Sequence, residues 1–210
     1  MDAMPGATFT ADDFRARAVR ERGPFTDTDY GDHSWNPDLR SLFVHDRLRA
    51  AAVLVPVVDR GDEATVILTK RTDNLRSHSG QIAFPGGRVD PTDLSAEHAA
   101  LRETEEEIGL GAEFIDIVGR LPDYVSGSGY RIAPVLSIVR PDFLLTINRD
   151  EVDDAFEVPL RFLMDPQNHR RDSRIWENQE RFFYTMPFGE RYIWGVTAGI
   201  LRTLYERLYA

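Results

Sequence analysis

The stretch Asp93 to Leu110, DLSAEHAALRETEEEIGL, constrains this chain more than any other. Ala100, Leu101, Thr104 and Ile108 recur at helical spacing on one side, and Gly109 stands where a helix-ending glycine belongs. The spacing predicts a helix over 93–108 with one side turned to a core. Glu103, Glu106 and Glu107 fall at i, i+3 and i+4 and project from one face within about 100° of arc, while Glu105 points elsewhere. Like charges at this spacing destabilise a helix by about 0.2–0.5 kcal/mol per pair, and Arg102 alone does not balance three carboxylates. A hard divalent cation does, because magnesium takes carboxylate oxygens, keeps several waters and accepts substrate phosphate oxygens in its remaining positions. An acidic helix face can also simply be solvated. The setting distinguishes this one: Gly86 and Gly87 close a strand-like GQIAFPGG, and a turn-rich VDPTD leads from them into the helix.

The β-branched runs Ala50 to Val58 and Ala64 to Thr69 flank an Asp-Arg-Gly-Asp turn at 59–62 and read as paired strands. Further strands are expected at Phe114 to Gly119, Ile132 to Val139, Phe156 to Pro159, Arg174 to Glu177 and Arg181 to Thr185, and an amphipathic helix at Gly195 to Leu208. Thr10 to about Arg20 reads as a helix with Thr10 and Asp13 at capping-box spacing, followed by a polar arm to Pro37. Strands and helices interleaved without strict β-α-β alternation predict an α+β fold, an α/β/α sandwich with a mixed sheet between helices. The expected organisation is an N-terminal helix and arm over 1–37 and one domain over 38–210, with Trp176, Trp194, Phe182 and Phe183 in the core.

The chain has no cysteine, which excludes a thiol nucleophile, a disulfide frame and a cysteine-ligated zinc, so any metal must take oxygen or histidine. Five histidines show no paired metal spacing, and His78 and His98 read as surface or structural groups. Thirty-five acidic against twenty-five basic residues give a formal charge of −10, which repels nucleic acid and acidic membrane. The N-terminus has neither a secretory nor a transit pattern, and no run of eighteen apolar residues occurs. The expectation is a soluble, cytoplasmic protein with a small-molecule, phosphorylated substrate, the oligomeric state open and a homodimer among the alternatives. The acidic loop NRDEVDDAFEVPL offers Asp150, Glu151, Asp153 and Glu157 as a general base or further ligand, or is merely solvated. In the glycine-rich YVSGSGY, Tyr124 or Tyr130 either stacks on a base or packs in the fold.

Arg102, Glu103, Thr104, Glu105, Glu106, Glu107, Ile108, Gly109 and Leu110 resemble the Nudix box, Arg-Glu-hydrophobic-any-Glu-Glu-any-Gly-hydrophobic, with Thr104 the one soft match. The resemblance implies the Nudix fold, Mg2+ or Mn2+ held by Glu103, Glu106 and Glu107, and hydrolysis of a phosphoanhydride bond. Upstream the pattern departs: the box has a glutamate and then seven residues before the arginine, whereas this chain has Asp93 and then eight. Asp93 is accordingly read as a helix N-cap instead of a ligand.

A second stretch, ILTKRTDNLRSHSGQIAFPGG from Ile67 to Gly87, resembles the motif of the coenzyme A pyrophosphatase branch of that family. Leu68, Thr69, Arg71, Arg76, Gly80, Phe84, Pro85, Gly86 and Gly87 match it, with Ile67 and Thr72 as conservative departures. EVDDAFEVPL and IWGVTAGILRTL are similar to that branch as well, so the resemblance spans roughly residues 50–205. It implies cleavage of coenzyme A (CoA) and its thioesters to 4′-phosphopantetheine species and adenosine 3′,5′-bisphosphate. It favours Glu151 among the loop acids, and a carbonyl near Gly86 or Gly87 as an added oxygen ligand. Arg71 and Arg76 suit the substrate phosphates because guanidinium pairs with phosphate oxygens, or else they are exposed or pair with Asp73 and Asp90. The alternatives are a Nudix pyrophosphatase acting on ADP-ribose, NADH or another nucleoside diphosphate derivative, and a silent nucleotide-binding module, against which the intact glutamate set argues.

Overall fold

The computed structural model describes residues 8–21, 30–34, 36, 48–73, 80–176 and 178–210. In chain order its elements are α1 (Ala11–Arg20), β1 (Tyr30–Gly31), β2 (Arg49–Val58), β3 (Thr65–Arg71), β4 (Ile82–Ala83), β5 (Gly86–Arg88), α2 (Ala96–Ile108), β6 (Ile115–Arg120), β7 (Tyr124–Val125), β8 (Tyr130–Val139), β9 (Val152–Pro159), α3 (Leu160–Leu163), β10 (Arg170–Trp176), β11 (Gln179–Phe188), β12 (Arg191–Trp194) and α4 (Gly195–Leu208). Arg76, His78 and most of the polar arm, including its end at Pro37, lie outside the described residues.

The centre is the parallel pair β2 and β8, in register from Arg49 opposite Tyr130 to Val58 opposite Val139. β-branched residues suit both strands because both faces of the pair are covered. One face presents Ala52, Leu54, Ala133 and Val135 to Ala99 and Ala100 of α2, and these small residues let the helix lie close to the sheet. The alternate residues Ala51, Val55 and Val57 face the other layer, built from Phe14 of α1 and Ile200, Leu201 and Leu204 of α4. Period-2 alternation thus sends one strand's side chains into two helical layers. The result is the expected sandwich: nine described strands in a mixed sheet, β1-β7-β8-β2-β3-β4 with β5 on β2, β6 on β8 and β9 on β3, and a smaller antiparallel sheet β10-β11-β12.

Local signals act as expected at several places. The Thr10 hydroxyl accepts the Asp13 N–H at 3.2 Å and caps α1, and Arg17 ties that helix to the carbonyl of Leu208 at 2.8 Å. β2 and β3 pair antiparallel across the 59–62 turn, and α4 spans the predicted residues. GQIAFPGG, expected to be strand-like, forms two short strands parted at Phe84 and Pro85, with Phe84 buried and the Pro85 carbonyl accepting the Leu54 N–H at 2.9 Å. Asn36, also buried, uses its side-chain amide to bond both the N–H and the C=O of Phe182, at 2.8 and 3.1 Å.

Two expectations are corrected. Helix α2 begins at Ala96, because Ser95 and not Asp93 is its N-cap, its side chain accepting the His98 N–H at 3.2 Å. The aromatic residues assigned to the core are not in it: Trp176 is 59% exposed, and Phe182, Phe183 and Trp194 are only partly covered. β10 and the start of β11 form a ribbon exposed along most of its residues, and Phe183 and Trp194 stack on each other. No helix among the described residues is long and apolar enough to cross a membrane.

Candidate active site

Four elements converge on the glutamate face of α2. β3 ends in Arg71, β5 supplies Gly86 and Gly87, α2 supplies the glutamates, and the loop before β9 supplies Glu151. β5 lies against β2 with Gly86 opposite Val53 and Gly87 opposite Ala52. Gly86 has φ +149°, and a Cβ there would stand 2.4 Å from the Ala52 carbonyl oxygen. A Cβ on Gly87 would stand 2.4 Å from Oε2 of Glu103. Gly86 is therefore needed for close approach to the sheet, while Gly87 sits against the carboxylate end of Glu103, which can turn aside.

Glu107 is the most enclosed of the acids, 2% exposed. Its Oε2 accepts the Gly86 N–H at 3.2 Å and its Oε1 pairs with Nη1 of Arg71 at 3.2 Å. Burial nevertheless pushes its carboxyl up to about 7, and the charges of Glu103 and Glu151 push the same way against the Gly86 N–H and Arg71. Glu103, half-buried, is also raised, by burial first and then by Glu106 and Glu151, with Arg102 opposing. Glu106 is exposed and held by Nη1 of Arg102 at 3.0 Å, as is Glu103. Glu151 is fixed at both ends: its carbonyl accepts the Thr72 N–H at 3.0 Å, and its Oε1 accepts from the Asn148 side chain at 3.3 Å. Asn148 in turn donates its N–H to the carbonyl of Glu107 at 3.0 Å, which joins the loop of Glu151 to the end of the glutamate helix.

The structure thus brings Glu103, Glu107, Glu151, Arg71, Gly86 and Gly87 into one neighbourhood, with Glu106 at its exposed rim. Among the described residues no three acids or histidines already form a metal cage; Glu107 pairs with Arg71, and Glu103 and Glu106 share Nη1 of Arg102. The donor set is oxygen only, and a buried carboxylate crowded by two others is under-neutralised, so these residues fit a hard divalent cation once their side chains turn from the guanidinium groups.

Sequence reasoning missed or misplaced several partners. Asp93, expected as an N-cap, instead accepts Nε and Nη2 of Arg102 at 3.1 and 2.9 Å. The Arg102 guanidinium, helped by the Asp90 N–H, holds the Asp93 carboxyl down to about 2. Arg71 pairs with Glu107, not with Asp73 or Asp90 as the alternative reading had it. Glu157, one of the candidate bases, is engaged by Arg60 and Thr65. Asp153 faces Lys70 at 3.5 Å. Tyr124 is buried and donates to Asp32 at 2.7 Å, so packing and not base stacking accounts for it, and Tyr130 lies under the Arg49 guanidinium. His98 is a half-exposed neighbour of Asp93.

A mixed sheet between helical layers, with a glycine loop pressed against a helix face of glutamates, is the architecture of the Nudix hydrolase class. Residues 48–182 match the NUDIX domain, and the chain belongs to the Nudix family. It is 44% identical over 157 residues to the uncharacterized Nudix hydrolase NudL of Cronobacter sakazakii, covering 74% of this chain and 81% of that one. It is 42% identical over 158 residues to the NudL of Escherichia coli K12, with the same coverage. A MutT/nudix family protein from Enterococcus faecalis shares the fold at a TM-score of 0.50 and 16% identity, over 84% of this chain and 72% of that one. As a Nudix hydrolase the chain acts on phosphoanhydride bonds, and members of the family generally need a divalent metal such as Mg2+ or Mn2+.

Proposed function

We propose that this protein hydrolyses the pyrophosphate of coenzyme A and its thioesters, yielding 4′-phosphopantetheine or its acyl form and adenosine 3′,5′-bisphosphate. The observation that carries the reading is Arg71: the motif from Ile67 to Gly87 that resembles the coenzyme A branch ends beside the glutamate helix, and its first arginine lies 3.2 Å from Glu107. That arginine is partly exposed, so it can meet a substrate phosphate while staying at the reacting centre. Arg76 of the same motif is assigned to another phosphate of the substrate.

Glu103, Glu106 and Glu107 would hold Mg2+ or Mn2+, with a carbonyl of Gly86 or Gly87 as an added oxygen. Such an ion, when bound, neutralises charge that builds on the phosphoryl oxygens and acidifies water. Glu151, oriented by Asn148, takes the proton of the attacking water as its oxygen bonds to phosphorus. The bridging P–O bond breaks, and the bridging oxygen leaves on the second phosphate. The glycines keep the loop close enough for the Gly86 N–H to orient Glu107.

The test is chromatography of products from CoA, dephospho-CoA, ADP-ribose and NADH, each with magnesium, manganese or chelator. Metal-dependent release of adenosine 3′,5′-bisphosphate from CoA, well above cleavage of the others, is the expected result. Equal cleavage of CoA and dephospho-CoA removes the phosphate role given to the arginines, and preference for ADP-ribose or NADH replaces the substrate. No cleavage of any leaves a nucleotide-binding module.

A further inference from the structure

Arg88 follows the glycine pair directly and closes β5. It stands opposite Ala51 of β2, and Gly87 stands opposite Ala52. Opposed residues share a face of a sheet and successive residues alternate, so Gly87 lies on the face of the glutamate helix and Arg88 on the other, with Ala51. No strand among the described residues pairs with the far edge of β5. A ligand held at the glutamates can therefore pass round that edge from one face of the sheet to the other.

Arg49 stands two residues before Ala51, which makes it the diagonal neighbour of Arg88 on the same face, at about 7–8 Å and within reach of two long side chains. It is already oriented. Its guanidinium lies 4.0 Å over the Tyr130 ring, its Nη2 donates to the Ser128 carbonyl at 2.9 Å, and its backbone N–H donates to the Gly129 carbonyl at 3.0 Å. The turn that holds it is tied down in its own right, the Gly127 N–H donating to the Asp32 carboxylate at 2.8 Å. All these partners are neutral at Arg49, so its charge is unspent, and a stacked guanidinium keeps its other N–H donors for an anion.

Both arginines are exposed, and neither meets a carboxylate among the described residues, in a chain with thirty-five acidic and twenty-five basic residues. Arg71 and Arg102 differ: the first is paired with Glu107, the second with Asp93, Glu103 and Glu106. Two unspent cations on one face suit a dianion. A phosphomonoester carries about −1.5 to −2 at neutral pH, whereas each phosphate inside a disubstituted pyrophosphate carries a single charge. CoA has one phosphomonoester, on the ribose 3′ oxygen.

We propose that Arg88 and Arg49 bind the 3′-phosphate of CoA on the face of β5 away from the glutamates, leaving the pyrophosphate to the glutamate side and Arg71. This rests on the CoA reading above and supplies the residues that tell CoA from dephospho-CoA.

Calorimetry and steady-state kinetics test it with Arg88→Ala, Arg49→Ala and Arg88→Lys. In chelator, adenosine 3′,5′-bisphosphate should bind the wild type at least about tenfold more tightly than adenosine 5′-monophosphate, and each alanine variant should lose most of that difference. In turnover with saturating magnesium, the ratio of kcat/KM for CoA to that for dephospho-CoA should fall about tenfold in each alanine variant, through KM and not kcat, with Arg88→Lys between. Variants that lose affinity for both nucleotides alike, or that keep the wild-type ratio, would overturn the proposal and leave CoA hydrolysis standing. A wild type that does not cleave CoA would refute the reading beneath it, and the two nucleotides would still decide the site: equal affinity for them in the wild type overturns it.

Discussion

Glu107→Gln separates the electrostatic cost of the site from its use. A carboxyl held at about 7 in the folded chain, against an ordinary 4.5, binds its proton more tightly folded than unfolded. Its contribution to stability is therefore complete below about pH 4.5 and is lost as pH rises through about 7. At about 1.4 kcal/mol per tenfold, the ionised Glu107 costs the metal-free protein up to about 3 kcal/mol at pH 8. The uncharged amide of the variant mimics the protonated carboxyl and keeps an oxygen for the Gly86 N–H. In chelator at pH 8 the variant should melt about 6–12 °C above the wild type, from about 2–4 °C per kcal/mol in a chain of this size, and the two should converge near pH 4.5. Excess magnesium should raise the wild type and leave the variant unchanged, while turnover falls by orders of magnitude. Melting by calorimetry or circular dichroism across pH reads all of this. A variant less stable than the wild type at pH 8 in chelator, or one with an undiminished pH slope, would refute the account of Glu107 as a buried, under-neutralised charge.

Arg71→Ala should raise KM for CoA about tenfold or more, the worth of one charge-assisted contact, and steady-state kinetics with saturating metal checks it. Gly86→Ala drives a Cβ into the Ala52 carbonyl at a φ unsuited to alanine, so a loss of about 2–4 kcal/mol in urea unfolding is expected. Asp93, held down to about 2 by Arg102, stabilises the fold above its unfolded value near 3.8 and loses that contribution as pH falls through about 2. Asp93→Asn should flatten acid unfolding over that interval when followed by circular dichroism. Asn36→Ala leaves the backbone N–H and C=O of Phe182 without their side-chain partners and should expose the β11 edge to hydrogen exchange at a cost of about 1–3 kcal/mol.

Capping and period carry much of the fold in the sequence. Thr10 and Asp13 announce α1, β-branched runs around a turn announce β2 and β3, and the spacing of 103, 106 and 107 announces the acidic face. Spacing says which way a side chain points along its own element and nothing of what stands opposite. For that reason Glu107 and Glu106, neighbours in sequence, differ without any local sign, one enclosed by Gly86 and Arg71 and the other at the rim. The same blindness puts Trp176 in the core, since alternation in a strand cannot tell a ribbon within the body from one beyond it. Asp93 misleads because Ser95, two residues on, supplies an equally good cap and leaves the aspartate to Arg102. Glu151, favoured among five nearby acids by the resemblance, owes its position to Asn148, a partner whose relevance depends on the end of a helix some forty positions earlier, at Glu107.

The parallel pairing of β2 with β8 also sets the tempo at which the site comes into being. Its partners are about 80 residues apart, and closing such a loop costs about 4 kcal/mol of chain entropy before any contact repays it. Arg71, the glycine pair and the whole of α2 lie inside that loop, and β5 finds its place only against β2. β2 is held by β8 on one edge and by β3 and β5 on the other, so the glycines rest on a strand that the slow closure fixes in the sheet. In refolding, the capacity to bind metal should return in a single phase with the central sheet, and no partly folded chain should carry a working fraction of it.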